Sequence, residues 1–144
     1  MMKTMLCIAF FMAFNLVQNP VSTKNTGEMK LQLSNVNVNN KGVIYIAIYN
    51  KKQDFMTRNF FKSTKVEVGE DSSIELVFDA IPYRFYAVTA YHDINANQQM
   101  DFNENGMPIE DYAMSGTPNQ MGPPNWEQVK FEFKDETQVI NLNF

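Results

Sequence analysis

Apolar and polar residues alternate with a period of two through most of the chain after residue 28, and helical spacing is nearly absent. Met29 to Val38 reads as a first strand, closed by an Asn-Asn-Lys-Gly turn. Val43 to Tyr49 follows, dense in β-branched and aromatic residues. Residues 50–62 break the alternation and predict a loop or one short helical turn, with Phe55, Phe60 and Phe61 plugging one end of the core. Lys65 to Val68 and Ser73 to Phe78 are the next two strands, and Ile74, Leu76 and Phe78 share one face of the second. Phe85 to His92 is a further strand. Val129, Phe131 and Phe133 then alternate with charged residues as a half-buried strand, and Ile140, Leu142 and Phe144 give the last one a core face.

About seven short strands separated by turn residues predict an all-β fold: an antiparallel β-sandwich of immunoglobulin-like or prealbumin-like type with one long loop. That loop is residues 93–126, rich in Gly, Pro and Asn and without a strand pattern. An excursion of this length in a compact domain points to function or to an internal staple. No repeat, linker or second domain interrupts the pattern.

The N-terminal segment is different in kind. Lys3 is followed by an almost wholly apolar run, Thr4 to Val17, and then by polar, Pro-containing sequence. This predicts a signal peptide over residues 1–23, a single domain over 24–144, and a periplasmic or secreted protein. No small-x-small cleavage site stands out, so the cut is placed only within Ala13 to Thr23. The alternative is an uncleaved N-terminal anchor, although the apolar run is short for a membrane span. Cys7 leaves with the leader, so a mature chain has no cysteine for a disulfide, a thiolate metal site or thiol catalysis.

Twelve Lys and Arg against 16 Asp and Glu give a net charge of −4, which disfavours nucleic acid as a partner. The distribution says more. No Lys or Arg lies between Arg84 and Lys130, while Asp93, Asp101, Glu104, Glu110, Asp111 and Glu127 all do. Such a segment repels itself unless solvent or a cation screens it.

Within it, Asp93, Asn95, Asn97, the Gln99 carbonyl, Asp101 and Glu104 occupy positions one, three, five, seven, nine and twelve of a calcium loop of the EF-hand type. A chain coiling round a hard cation points alternate oxygens inward, which is the chemical sense of the spacing. Position six, where such loops carry glycine, is Gln98. A second register starts at Asp101 and places Asn103, Asn105 and Gly106 correctly, but it ends at Tyr112 instead of a carboxylate. The competing reading is a loop of Asx turns whose Asp and Asn side chains bond their own backbone. Asp101 and Glu104 also offer a carboxylate pair of the hydrolase kind. His92, the one histidine, reads as a packing residue at a strand end. Ser115 lacks the flanking glycines of a nucleophile elbow. Trp126, Tyr112 and Pro123-Pro124 suit a sugar- or peptide-binding surface, and buried anchors for the long loop are the simpler reading.

The segments YAVTAYHDINANQQMD, NGMPIEDYAMSG and MGPPNWEQVKFEF resemble the secreted bacterial family known as domain of unknown function 2141. That family carries a Tyr-Ala-Val strand, His-Asp-x-Asn-x-Asn-Gly, Gly-x-Pro-x-Glu-Gly-Tyr, and Gly-Pro-Pro before an aromatic strand. Here His92, Asp93, Asn95, Asn97, Asp101, Gly106, Pro108, Glu110, Tyr112, Ser115, Gly122, Pro123 and Pro124 fall on the pattern. Gln98 replaces the family's glycine, which weakens the expectation of tight metal binding, and Arg84 replaces a turn glycine. The resemblance implies an exported sandwich domain with no established activity to carry over. In style it is similar to calcium-loop sandwich repeats of bacterial adhesins, at the level of fold only.

Together these readings predict an exported, non-enzymatic β-sandwich. Its acidic loop binds calcium and shapes a surface for a protein or glycan of the cell envelope. A mature chain would have no transmembrane segment. The alternative is an envelope or carbohydrate-processing hydrolase using loop carboxylates.

Overall fold

The computed structural model describes residues 25–118 and 122–144. The expected leader over residues 1–23, with Cys7, lies outside the described residues. Among the described residues, eight strands make two sheets: β1 (Thr26–Ser34), β2 (Val43–Tyr49), β3 (Lys62–Glu67), β4 (Ile74–Pro82), β5 (Arg84–Asp93), β6 (Tyr112–Met114), β7 (Phe131–Phe133) and β8 (Thr137–Asn143). A 3-10 turn at Lys52–Asp54 and one turn of helix, α1 (Trp126–Val129), complete the fold. No helix among the described residues is long and apolar enough to cross a membrane.

The first sheet has the order β4-β1-β8, with β1 antiparallel to β4 and parallel to β8. The second runs β3-β2-β5, and the far edge of β5 is shared by two short strands. β7 pairs with Arg84 to Tyr86, and β6 pairs with Thr89 to Tyr91. Ser115 splices the gap between them. Its Oγ accepts the Val88 N–H at 2.9 Å and donates to the Val129 carbonyl at 2.7 Å, wholly buried. Gly116 beside it has φ +72°, and a Cβ there would run into the Gln128 carbonyl.

Alternation sets which residues meet between the sheets. Met29, Leu31 and Leu33 of β1 face Ile44, Ile46 and Ile48 of β2 and Tyr86, Val88 and Ala90 of β5 across one core, joined by Phe133 and Leu142. Burying each large side chain contributes about 1.5–3 kcal/mol. Ile74, Leu76 and Phe78 share the core-facing side of β4, and Ile140, Leu142 and Phe144 that of β8, as their spacing predicts.

The fold is mostly antiparallel and compatible with the expected sandwich. Several details differ from the expectation: the first strand, read as Met29 to Val38, ends at Ser34, and β1 pairs in parallel with β8. β6 lies inside the stretch read as strandless, because three residues pairing with β5 leave too short an alternation to detect. Val129 belongs to α1, which an Asn125 capping box starts, so β7 begins only at Phe131. Phe131 is half-buried and Phe133 fully buried, so the second ring is the core anchor. Of the three phenylalanines expected to plug the core, only Phe61 packs against it. Phe55 instead joins Tyr49, Ala87, Trp126 and Val129 in a second cluster on the outer face of the larger sheet, and Phe60 stays 42% exposed.

Candidate functional site

β5 delivers Asp93 into the loop, buried to 1% exposure although charged. Its Oδ2 accepts the backbone N–H of Gln98 at 2.8 Å and its Oδ1 that of Asn97 at 3.2 Å. Asn95 Oδ1 accepts the Asn97 N–H at 3.1 Å, and Asn97 Oδ1 accepts the Gln99 N–H at 2.9 Å. The two Asn side chains thus each close a turn two residues on, while Asp93 reaches four and five residues on. With their oxygens turned to the backbone, both amides direct N–H groups at Asp101. Asn95 Nδ2 donates to its Oδ2 at 2.6 Å, and Asn97 Nδ2 to Oδ1 at 2.9 Å.

Gln98 takes φ +63°, so the turn has the left-handed backbone for which glycine is favoured, and it carries the strain of a side chain there. Gly106, the sixth position of the second register, takes φ +75°. Asn103 Oδ1 accepts the N–H groups of Asn105 and Met107, both at 3.0 Å. The two registers share their Asx turns but differ at their first residue. The Gly106 N–H goes to the Asn103 carbonyl, not to Asp101.

Of the six residues singled out by spacing, Asp93, Asn95, Asn97 and Asp101 are joined by hydrogen bonds, and Gln99 joins them through its N–H. Glu104 sits exposed on the 103–106 turn. Among the described residues, no group of three or more His, Cys, Asp and Glu side chains is placed to hold a metal ion. A shell drawn from this loop therefore has to rest on amide and carbonyl oxygens beside Asp93 and Asp101.

Spacing missed Glu110. It is buried, its Oε1 accepts the Ile94 N–H at 3.2 Å, and its Oε2 accepts the Asp101 N–H at 3.3 Å. It ties both limbs of the loop to one carboxylate. The resemblance named this position, whereas periodicity gave no sign of it. His92 points to the opposite, core side beside Gly42, and neither ring nitrogen has a hydrogen-bond partner among the described residues. Its place fits packing.

The loop also walls a trough of about 1560 Å³ over the outer face of the larger sheet. Register builds its floor. Lys65, Tyr45, Tyr91 and Tyr112 stand in one row across β3, β2, β5 and β6, with the Tyr45 and Tyr91 rings stacked at 5.4 Å and 16°. The neighbouring row is Ser63, Ala47, Thr89 and Met114, where three small side chains lower the floor. Beyond it rises Tyr49, edge-on to Phe55 and Phe60. Residues 97–108 overhang from the Tyr45 end, where Val43 pairs with Asp93, and residues 56–60 from the Tyr49 end. Burial, with the charges of Asp93 and Glu110 and the Tyr45 phenol adding to it, pushes the Tyr91 phenol up to about 12, so it stays a proton donor at neutral pH. Trp126 is a buried anchor as expected, while Tyr112 and Pro123-Pro124 line the trough.

No curated protein and no solved structure matches the chain. A family model does, over residues 18–141, covering both the sandwich strands and the loop. The chain belongs to the bacterial family described as "Uncharacterized protein conserved in bacteria (DUF2141)".

Proposed function

We propose that the protein is an exported, non-enzymatic binding domain in which the 93–111 loop holds calcium and forms one wall of a ligand trough. The observation that carries this reading is the union of the two features. The Asp93 carboxylate and the Asx turns of Asn95 and Asn97 fix the same loop whose residues 97–108 overhang the Tyr45–Tyr91 floor. The donor types fit calcium once the Asn95 and Asn97 amides turn their oxygens from the backbone to the ion: with the Asp93 and Asp101 carboxylates and the Gln99 carbonyl they are all hard oxygens. The ion would supply the positive charge that this segment lacks and would stiffen the wall.

Export rests on the composition of residues 1–23, and intact-mass measurement of the exported protein tests it. The mature chain should begin between residues 14 and 24.

The binding role is tested by adding calcium to chelated protein while following heat and backbone amide resonances. Calcium should shift the signals of residues 93–101 and, through the shared wall, those of Phe102 and Met107. A titration without heat and without shifts would remove the ion from this reading.

A further inference from the structure

The lining of the trough has a chemistry at odds with the chain around it. The protein carries a net charge of −4, and its longest loop is acidic. Yet the only charged residues among those lining the trough are Arg58 and Lys65. Neither is paired with a carboxylate among the described residues, so both charges are open to a ligand in the trough. The rest of the lining is aromatic, aliphatic, thioether, hydroxyl or amide, and it leaves Met56 53%, Phe102 55% and Met107 58% exposed. Flexible thioethers and an exposed ring around a depressed floor suit an apolar body of variable shape.

The two chemistries are arranged in order. Lys65 and Ser63 lie on β3, at one end of the two floor rows, and Tyr112 and Met114 on β6 lie at the other. Four strands at their usual spacing make the low row roughly 14 Å long. Tyr45 and Tyr91 turn one ring face each to the other, at 16° between planes, so the pair packs on itself and leaves a single outer face per ring.

Resting on the reading of the trough as a ligand surface, we infer that it takes an elongated apolar carboxylate. The carboxylate lies at Lys65, at the β3 end of the rows, with Arg58 on the opposite wall adding positive charge, and the chain runs over Ala47 and Thr89 toward Met114. The Tyr91 and Tyr112 hydroxyls and the Asn97 to Gln99 amides rim the body, while the cations select the head.

Decanoate, decyltrimethylammonium with the same tail, and cellobiose are titrated calorimetrically into the wild-type chain. Decanoate should bind at least tenfold more tightly than the cation, and cellobiose should give no heat. Reversing both cations (Arg58→Glu with Lys65→Glu) should weaken decanoate by tenfold or more and narrow the preference over the cation. Thr89→Trp, which fills the low row, should abolish binding. The exposed Phe102→Ser supplies a second wall change and should weaken decanoate severalfold with unchanged melting. Equal affinity for the two amphiphiles, or decanoate binding indifferent to the charge reversal, overturns the inference. Cellobiose binding that Thr89→Trp removes, with decanoate silent, overturns the ligand class and leaves the binding trough standing. Silence from all three ligands overturns both.

Discussion

The Asp93 carboxylate accepts the Gln98 backbone N–H at 2.8 Å, and Gln98 holds φ +63° to present it. One buried charge therefore organises the turn from its first residue to its sixth. Asp93→Ala leaves the Gln98 N–H without an acceptor and the Asn97 N–H with Asn95 Oδ1 alone, and should cost about 1–3 kcal/mol while the sandwich stays folded. It should also abolish any rise of melting temperature with calcium. In the wild type, affinity on the order of 10⁻⁴ to 10⁻³ M is expected, as in extracellular modules. Calcium at ~100 times the dissociation constant adds roughly 2.7 kcal/mol, and magnesium should add less. Melting curves of chelated protein with each ion check all of this, and a calcium-independent wild type would favour the loop of self-bonded Asx turns.

Gln98→Gly isolates the strain. A side chain in the left-handed region costs roughly 1 kcal/mol, and the extra freedom of glycine in the unfolded chain offsets part of the gain. Stability should rise by about 0.5 kcal/mol, and calcium should bind more tightly because the turn no longer resists its shape. Denaturant unfolding and calcium titration measure the two effects separately.

Glu110→Ala should act on the loop and not on ion selectivity. Its oxygens receive the Ile94 and Asp101 N–H groups, so truncation should cost about 2–3 kcal/mol. The calcium-dependent shift in melting should survive. Its disappearance would transfer the ion to the second register, near Glu110.

The core prediction turns on neighbouring residues of β7. Phe133 is fully buried against Tyr83 and Tyr86, and Phe133→Ala should cost about 3–5 kcal/mol. Glu132 faces solvent with an exposed partner in Lys134, and Glu132→Ala should change stability by less than about 0.5 kcal/mol. Half-buried Phe131 should fall between them. Equal effects at all three positions would be incompatible with this register.

Two tyrosines set the alkaline limit. Burial pushes both the Tyr86 and Tyr91 phenols up to about 12 from 10.0. Between those values the unfolded chain releases protons that the folded chain keeps. The stability contributed by these groups is therefore full below about pH 10 and is lost as the pH rises toward 12. Burial raises the Tyr49 phenol as well, so phenolate absorbance should show Tyr86 and Tyr91 titrating late with Tyr49 also delayed, and denaturant midpoints should fall over the same window. Replacing Tyr91 by Phe should remove one late phenol and flatten part of the fall.

Local order was written in the chain itself. Alternation alone places Ile74, Leu76 and Phe78 on one face of β4, because successive strand side chains point to opposite sides whatever the neighbours are. The spacing of Asn95 and Asn97 likewise encodes Asx turns, since each side-chain oxygen accepts the backbone N–H two residues on. Relations between distant segments needed the tertiary structure. Glu110 returns to Ile94 across 16 residues. β6 exists only because β5 offers an edge. The floor of Ser63, Ala47, Thr89 and Met114 draws one residue from each of four strands. No periodicity within one segment records which strand lies beside it or in what register, and it is register that puts three small residues in a row between aromatic ones.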